Sequence, residues 1–198
     1  MTEDTHEALS DARAMSDLAQ GQMEALGTLY VRYGAMVRRA LKRLAPEISR
    51  AELEELGQEV FLTLSDTAAR YEERTRLRAW LYGIAVRKAK SWRRTTWLRR
   101  KLLGQHGGTG PGMSPGAAPS PEREVAMRQE ATRVLDQLPR EQRDVLMLHA
   151  VEGFTGEEIA EILSIRPKTV WTRLHRARRA AIAIRAAEGT AATGEGES

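Results

Sequence analysis

The stretch from Thr155 to Arg185, TGEEIAEILSIRPKTVWTRLHRARRAAIAIR, constrains the fold more than any other part of the chain. It reads as two helices joined by a tight turn. Thr155 and Glu158 make a capping box, in which the hydroxyl accepts from an orphan N–H while the carboxylate reaches back. Ile159, Ala160 and Leu163 then fall on one helical face. Ser164-Ile165-Arg166 interrupts the pattern, and Pro167 suits the first turn of a new helix. In that second helix Val170, Leu174, Ala177 and Ala181 form an apolar stripe. Lys168, Trp171, Thr172, His175, Arg176 and Arg179 lie opposite it.

The two helices differ in charge. Residues 155–163 carry three acids and no base, whereas residues 166–185 carry seven Lys or Arg and no acid. A helix with one apolar stripe and one purely basic face suits a major groove, because phosphates flank the groove on both sides. A solvated amphipathic helix is the plainer alternative, but such helices usually mix both signs on their exposed face. Residues near the N-terminus of a recognition helix reach deepest into the groove. Lys168, Trp171 and Thr172 are therefore expected to choose sequence, and Arg178 and Arg179 to hold the backbone. Arg173 and Arg176 are open to either role.

Residues 138–179, LPREQRDVLMLHAVEGFTGEEIAEILSIRPKTVWTRLHRARR, resemble region 4 of bacterial sigma factors, most closely the compact extracytoplasmic-function (ECF) class. Some response-regulator DNA-binding domains share that pattern, so the N-terminal half decides between them.

That half is helical in its periodicity. Residues 1–16 are polar and weakly patterned and read as a disordered arm. From about Asp17, apolar residues recur at Leu26, Leu29, Tyr30, Tyr33, Val37, Ala40, Leu41 and Leu44, until Pro46 ends the helix. Ser49 and Glu52 offer a second capping box, and Leu53, Leu56, Val60 and Leu64 continue a helix to about Arg70. Gly57 inside it costs about 1 kcal/mol against Ala, which points to a close helix contact. The segment Glu54–Phe61, EELGQEVF, is an acidic amphipathic surface, and an ordinary solvated face would explain it. It also resembles the sigma region 2 segment that docks on core RNA polymerase, Asp-Leu-x-Gln-Glu-x-Phe, with Glu55 for the usual Asp. The resemblance implies polymerase contact by Glu55, Gln58, Glu59 and Phe61, with a core position as the alternative for Phe61.

From Arg74 to Lys101 there are eleven Lys or Arg and no acid, with Trp80, Trp92, Trp97 and Tyr82 among them. Cations that hold a backbone beside aromatic faces that stack on bases suit single-stranded nucleic acid. Trp80 can equally be core beside Leu77 and Ile84. Residues 77–94, LRAWLYGIAVRKAKSWRR, resemble sigma regions 2.3 and 2.4, which melt and read the −10 element. That implies −10 contacts by Trp80, Arg87, Lys88, Lys90, Ser91, Trp92 and Arg94. Arg87 and Ser91 replace the family's frequent Asn and Asp, and the loop YEERTR at 71–76 also departs from the commoner form. The preferred −10 sequence cannot be copied from relatives.

Residues 104–121 contain six Gly and four Pro, a flexible linker. Such a chain averages roughly 20–25 Å end to end and stretches to about 60 Å, against about 34 Å for a turn of DNA. Tethered domains on it can engage sites more than a turn apart. Beyond it, Met127, Ala131, Val134, Leu135 and Leu138 mark a helix ending before Pro139. Val145, Leu146 and Leu148 mark another, ending near Glu152-Gly153.

Other function classes find little support. The 198 residues include no cysteine, which removes disulfides and thiolate metal sites. The four histidines, His6, His106, His149 and His175, lack ligand spacing. A nuclease would need carboxylates clustered near a basic groove, and in the sequence the acids are segregated from the basic segments. No enzyme activity, metal or cofactor is expected. No apolar run reaches membrane-spanning length, and the N-terminus lacks a signal-peptide core, so a cytoplasmic protein without membrane insertion is expected. The net charge of +4 matters less than where the bases lie.

The expected architecture is all-α, two small helical domains on a flexible linker. The arm spans 1–16, sigma region 2 spans 17–103, the linker 104–122, region 4 spans 123–188, and a disordered tail 189–198. The resemblance implies a sigma factor with core RNA polymerase, a duplex −35 element, a melted −10 element and an anti-sigma factor as partners. The alternative is a stand-alone helix-turn-helix regulator that binds duplex DNA without polymerase.

Overall fold

The structure, a computed structural model, describes residues 2–72, 76–102 and 122–194. Among these every regular element is helical, and the chain divides into two compact units, residues 1–111 and 112–198. The expected linker lies almost wholly outside the described residues.

The first unit holds α1 (Thr2–Ala19), α2 (Glu24–Leu44), α3 (Arg50–Thr67), a 3-10 turn (Ala68–Arg70) and α4 (Leu77–Leu102). Helix α2 packs on both α3 and α4, and α3 on α4. The apolar stripes read from the sequence meet in one core, in which Leu29, Val37, Leu41, Val60, Leu64, Leu81 and Ile84 are fully buried. Each such side chain contributes about 1.5–3 kcal/mol relative to exposure. Local signals set the ends. The Lys42 ammonium donates to the carbonyls of Pro46 at 2.8 Å and Ile48 at 3.1 Å, just past the end of α2. Ser49 and Glu52 form the expected capping box at the start of α3. Gly57 is not a point of close helix contact: the nearest atom to a Cβ built there is Arg38 Cγ, 4.0 Å away, and a methyl would fit.

The reading of residues 1–16 as a disordered arm is corrected. Residues 2–16 belong to α1, which packs on α2 and on the 3-10 turn and buries Met15 and Leu18. Its anchor is polar. Asp11, a buried carboxylate, pairs with Arg32 and accepts from the Tyr33 hydroxyl, and Arg32 Nη2 also donates to Ser10 Oγ at 3.0 Å. Asp11 is buried but Arg32 is about a third exposed, so losing this charge-assisted contact costs about 1.5–3 kcal/mol.

The second unit holds α5 (Glu122–Gln137), α6 (Arg140–Ala150), α7 (Gly156–Leu163) and α8 (Pro167–Gly194). Helix α8 is its spine, packing against α5, α6 and α7. Val134, Leu138, Val145, Leu148, Phe154, Ile159, Ile162, Val170, Leu174 and Ala177 form the core. Arg143 Nη2 donates to the carbonyls of Asp136 at 2.9 Å and Leu138 at 3.3 Å, closing the C-terminus of α5. Helix α8 continues through Gly194, so the tail expected to be disordered from 189 is helical to that residue. Alanines supply the reason: Ala186, Ala187, Ala191 and Ala192 outweigh the glycine and threonine content that suggested disorder.

Candidate nucleic-acid and polymerase interfaces

The turn between α7 and α8 is made by a serine. Ser164 adopts the left-handed conformation at φ 54°, and its N–H bonds back to the end of α7. The Ile165 N–H reaches the Ala160 carbonyl at 2.9 Å. Pro167 then occupies the first position of α8, as its fixed φ favours. With α7 started by the Thr155–Glu158 capping box, the α7–turn–α8 geometry follows from local chemistry alone.

On α8, Val170, Leu174 and Ala177 face the core, while Lys168, Trp171, Thr172, His175, Arg176 and Arg179 are exposed. Three of the candidates are already engaged. Trp171, 49% exposed, lies with its ring against Gly156 and edge-on to His149 at 6.3 Å. His149 is held in turn by its Nδ1, 3.1 Å from the Phe154 carbonyl. Arg173 is turned away from the exposed face, its Nη2 2.5 Å from Glu141 on α6. Thr172 donates its hydroxyl to the Lys168 carbonyl at 2.9 Å and remains exposed. Asp144 of α6 is half-buried. Burial pushes its carboxyl above the ordinary carboxylate range, while Arg140, Arg143 and Arg173 pull the other way.

On α4, Arg87, Lys90, Ser91 and Arg94 are exposed at helical spacing, and Trp97 continues the stripe at 59% exposure. Trp80 is half-buried, edge-on to Tyr71 at 6.0 Å, with its indole N–H enclosed and without an acceptor among the described residues. Trp92 is half-buried, and its N–H points to Glu52 Oε1 at 3.3 Å. Glu52 also accepts from the Ser49 hydroxyl at 2.6 Å and backbone N–H at 3.1 Å. These donors, the Ser49 hydroxyl first, hold its carboxyl below the ordinary range.

The acids are not segregated from the bases in three dimensions. Glu52, Glu59 and the nearby Glu47 line a seam with Trp92, Lys88 and Arg93 of α4, with Lys88 Nζ 2.9 Å from Glu59 and Arg93 Nε 3.8 Å from Glu47. Glu55 and Gln58 are exposed on the outer side of α3, and Glu59 sits between that side and the seam. Phe61 does not present itself to a partner. It is 3% exposed and packs edge-on to Tyr30 at 4.9 Å, because it stands beside Val60 and Leu64 on the core side of α3. It instead floors an open apolar groove of about 380 Å³ lined by Met23, Leu26, Gly27, Tyr30, Gln58 and Leu62. Sequence reasoning missed this groove. Leu62, 57% exposed, is its clearest signal, four residues after Gln58 and outside the Leu56–Val60–Leu64 stripe. Among the described residues no three His, Asp or Glu come together as metal ligands.

Comparisons with known proteins match both units. The sigma-70 region 2 family model matches residues 29–99, and the sigma-70 region 4 model residues 128–180. RNA polymerase sigma factor CnrH of Cupriavidus metallidurans is 28% identical over 175 residues, covering 85% of this chain and 91% of that protein. RNA polymerase sigma factor CarQ of Myxococcus xanthus is 27% identical over 162 residues, 82% of this chain and 90% of that one. The ECF RNA polymerase sigma-E factor of Escherichia coli is 26% identical over 181 residues, 88% and 93% of the two chains. Among solved structures, CnrH in complex with the cytosolic domain of CnrY shares the fold at a TM-score of 0.59 and 21% identity, over 90% of this chain and 98% of that one. The sigma factor RpoE in complex with the anti-sigma factor NepR from Bartonella quintana does so at 0.61 and 20%, over 78% and 92%. Matched in both units and in the family's order, the chain belongs to the sigma-70 family, in its extracytoplasmic-function branch.

Proposed function

We propose that this chain is a sigma factor that binds core RNA polymerase and directs promoter-specific initiation. Helix α8 reads the −35 element as duplex, and α4 holds the −10 element as it melts. The observation that carries this is the pairing of two basic, aromatic-bearing helices on separately folded units, each matched by its own sigma-70 region. Polymerase docks on the outer side of α3 through Glu55, Gln58 and Glu59, beside the groove floored by Phe61. On α8 the base-reading set is Lys168, Trp171 and Thr172, with His175, Arg176 and Arg179 toward the backbone. Arg173 serves by fastening α8 to α6.

The protein works in the cytoplasm, where polymerase and promoters are, and as a binding factor without catalysis of its own. No described helix is long and apolar enough to cross a membrane. An anti-sigma factor fits as a further partner, as for the relative RpoE crystallised with NepR. A regulator acting on duplex DNA without polymerase would leave the region 2 match over residues 29–99 without a purpose. Size-exclusion chromatography with purified core polymerase tests the reading. Co-elution as a one-to-one complex is expected; a chain that stays apart from polymerase and dimerises on duplex DNA would overturn it.

A further inference from the structure

Glu59 and Lys88 belong to surfaces assigned above to different partners, polymerase and promoter DNA, yet in this structure they neutralise each other. Lys88 Nζ donates to Glu59 Oε2 at 2.9 Å across the α3–α4 seam, with the two side chains 30% and 45% exposed. Glu59 directly follows the exposed Gln58 on α3, and Lys88 directly follows the exposed Arg87 on α4. Neither charge can serve an outside partner fully while it serves the other.

We propose that this ion pair couples the two binding events, so that a cationic polymerase side chain taking Glu59 releases Lys88 to the phosphates of the melted strand. The proposal rests on the assignment of Glu59 to polymerase. Its physical basis is the kind of pair involved. A half-exposed pair is cheap to break, so it acts as a switch and not a lock. A lysine on a four-carbon stem redirects its ammonium without moving the backbone. Before polymerase arrives, Glu59 lowers the positive charge that α4 offers to stray single strands. The coupling is reciprocal by thermodynamic necessity: polymerase tightens DNA binding by the same factor by which DNA tightens polymerase binding.

The test is a double-mutant cycle on the full chain. Fluorescence anisotropy with a fluorescein-labelled single-stranded oligo(dT) reads the DNA side, since backbone contact and stacking tolerate any base. Glu59→Gln should tighten oligo(dT) binding by about two- to fivefold beyond the effect of Glu55→Gln, which removes a nearby exposed charge and no such pair. In a Lys88→Gln background that excess should vanish. Lys88→Gln should in turn tighten binding to core polymerase, because Glu59 is then free of its partner. Equal effects of Glu59→Gln with and without Lys88 would overturn the coupling, while weakened polymerase binding by Glu59→Gln would leave the docking assignment standing. Unchanged polymerase affinity for Glu59→Gln would remove the docking assignment and the coupling with it.

Discussion

The indole of Trp171 fills the space where a side chain at Gly156 would stand: a Cβ built there lies 2.6 Å from Trp171 Cζ2 and 2.8 Å from Cε2. The first residue of α7 therefore sets how a principal candidate of the recognition helix is seated. Gly156→Ala should displace the ring, destabilise the second unit by about 1–3 kcal/mol as overpacking does, and change −35 preference. Thermal unfolding and −35 binding of the full chain check this. An unchanged midpoint with unchanged preference would show that Trp171 is not held by this contact.

Asp144 carries a pH dependence of unusual sign. Its folded carboxyl is raised above the ordinary range by burial. The folded state therefore binds this proton more readily than the unfolded state, and the ionised form costs stability at neutral pH. That cost is complete above the raised value and disappears as pH falls below the ordinary carboxylate value of about 4. Asp144→Asn should accordingly stabilise the protein at pH 7, with the advantage fading on acidification. Chemical denaturation at several pH values measures it; equal destabilisation at neutral and acid pH would contradict the account.

The exposed face of α8 divides by function. Replacing Lys168, Trp171 or Thr172 should re-rank −35 variants, by about 1–3 kcal/mol at a contacted base pair. Arg179→Ala should weaken all variants alike and lower the salt slope by roughly one unit. Arg173→Ala should act on stability, since its guanidinium is paired with Glu141. Binding of the full chain to a panel of −35 duplexes at several salt concentrations separates these outcomes. A constant ranking for every substitution at 168, 171 and 172 would show that this helix does not read bases.

Trp92 is expected to act in melting. Stacking on an unpaired base is worth roughly 1–3 kcal/mol, so Trp92→Ala should slow open-complex formation on duplex promoters, and a promoter already opened across −10 should partly restore it. Equal loss on both templates would make Trp92 purely structural, held to α3 by Glu52.

What was legible in the sequence was local. Two capping boxes, the break at Ser164 and the apolar periods of α2, α3 and α8 all lie within a few residues of what they control. The docking of α1 was not legible, because many of its small positions are alanines and its anchor, Asp11 to Arg32, spans 21 residues. The α3–α4 seam was hidden for the same reason, with Lys88–Glu59 separated by 29 residues and Trp92–Glu52 by 40. Phe61 and Leu62 show a finer limit. One residue turns a helix by about 100°, and that step alone makes Phe61 the buried floor of the groove and Leu62 its exposed wall.

Transcription in vitro tests the central claim most directly. Core polymerase would be supplied with fragments of the organism's own genome, with and without this chain, and the 5′ ends of the transcripts mapped. The account predicts new 5′ ends that appear only with the chain and share a two-part upstream motif at −35 and −10. Transcripts no different from those of core polymerase alone, or binding confined to a palindrome with no initiation, would contradict it.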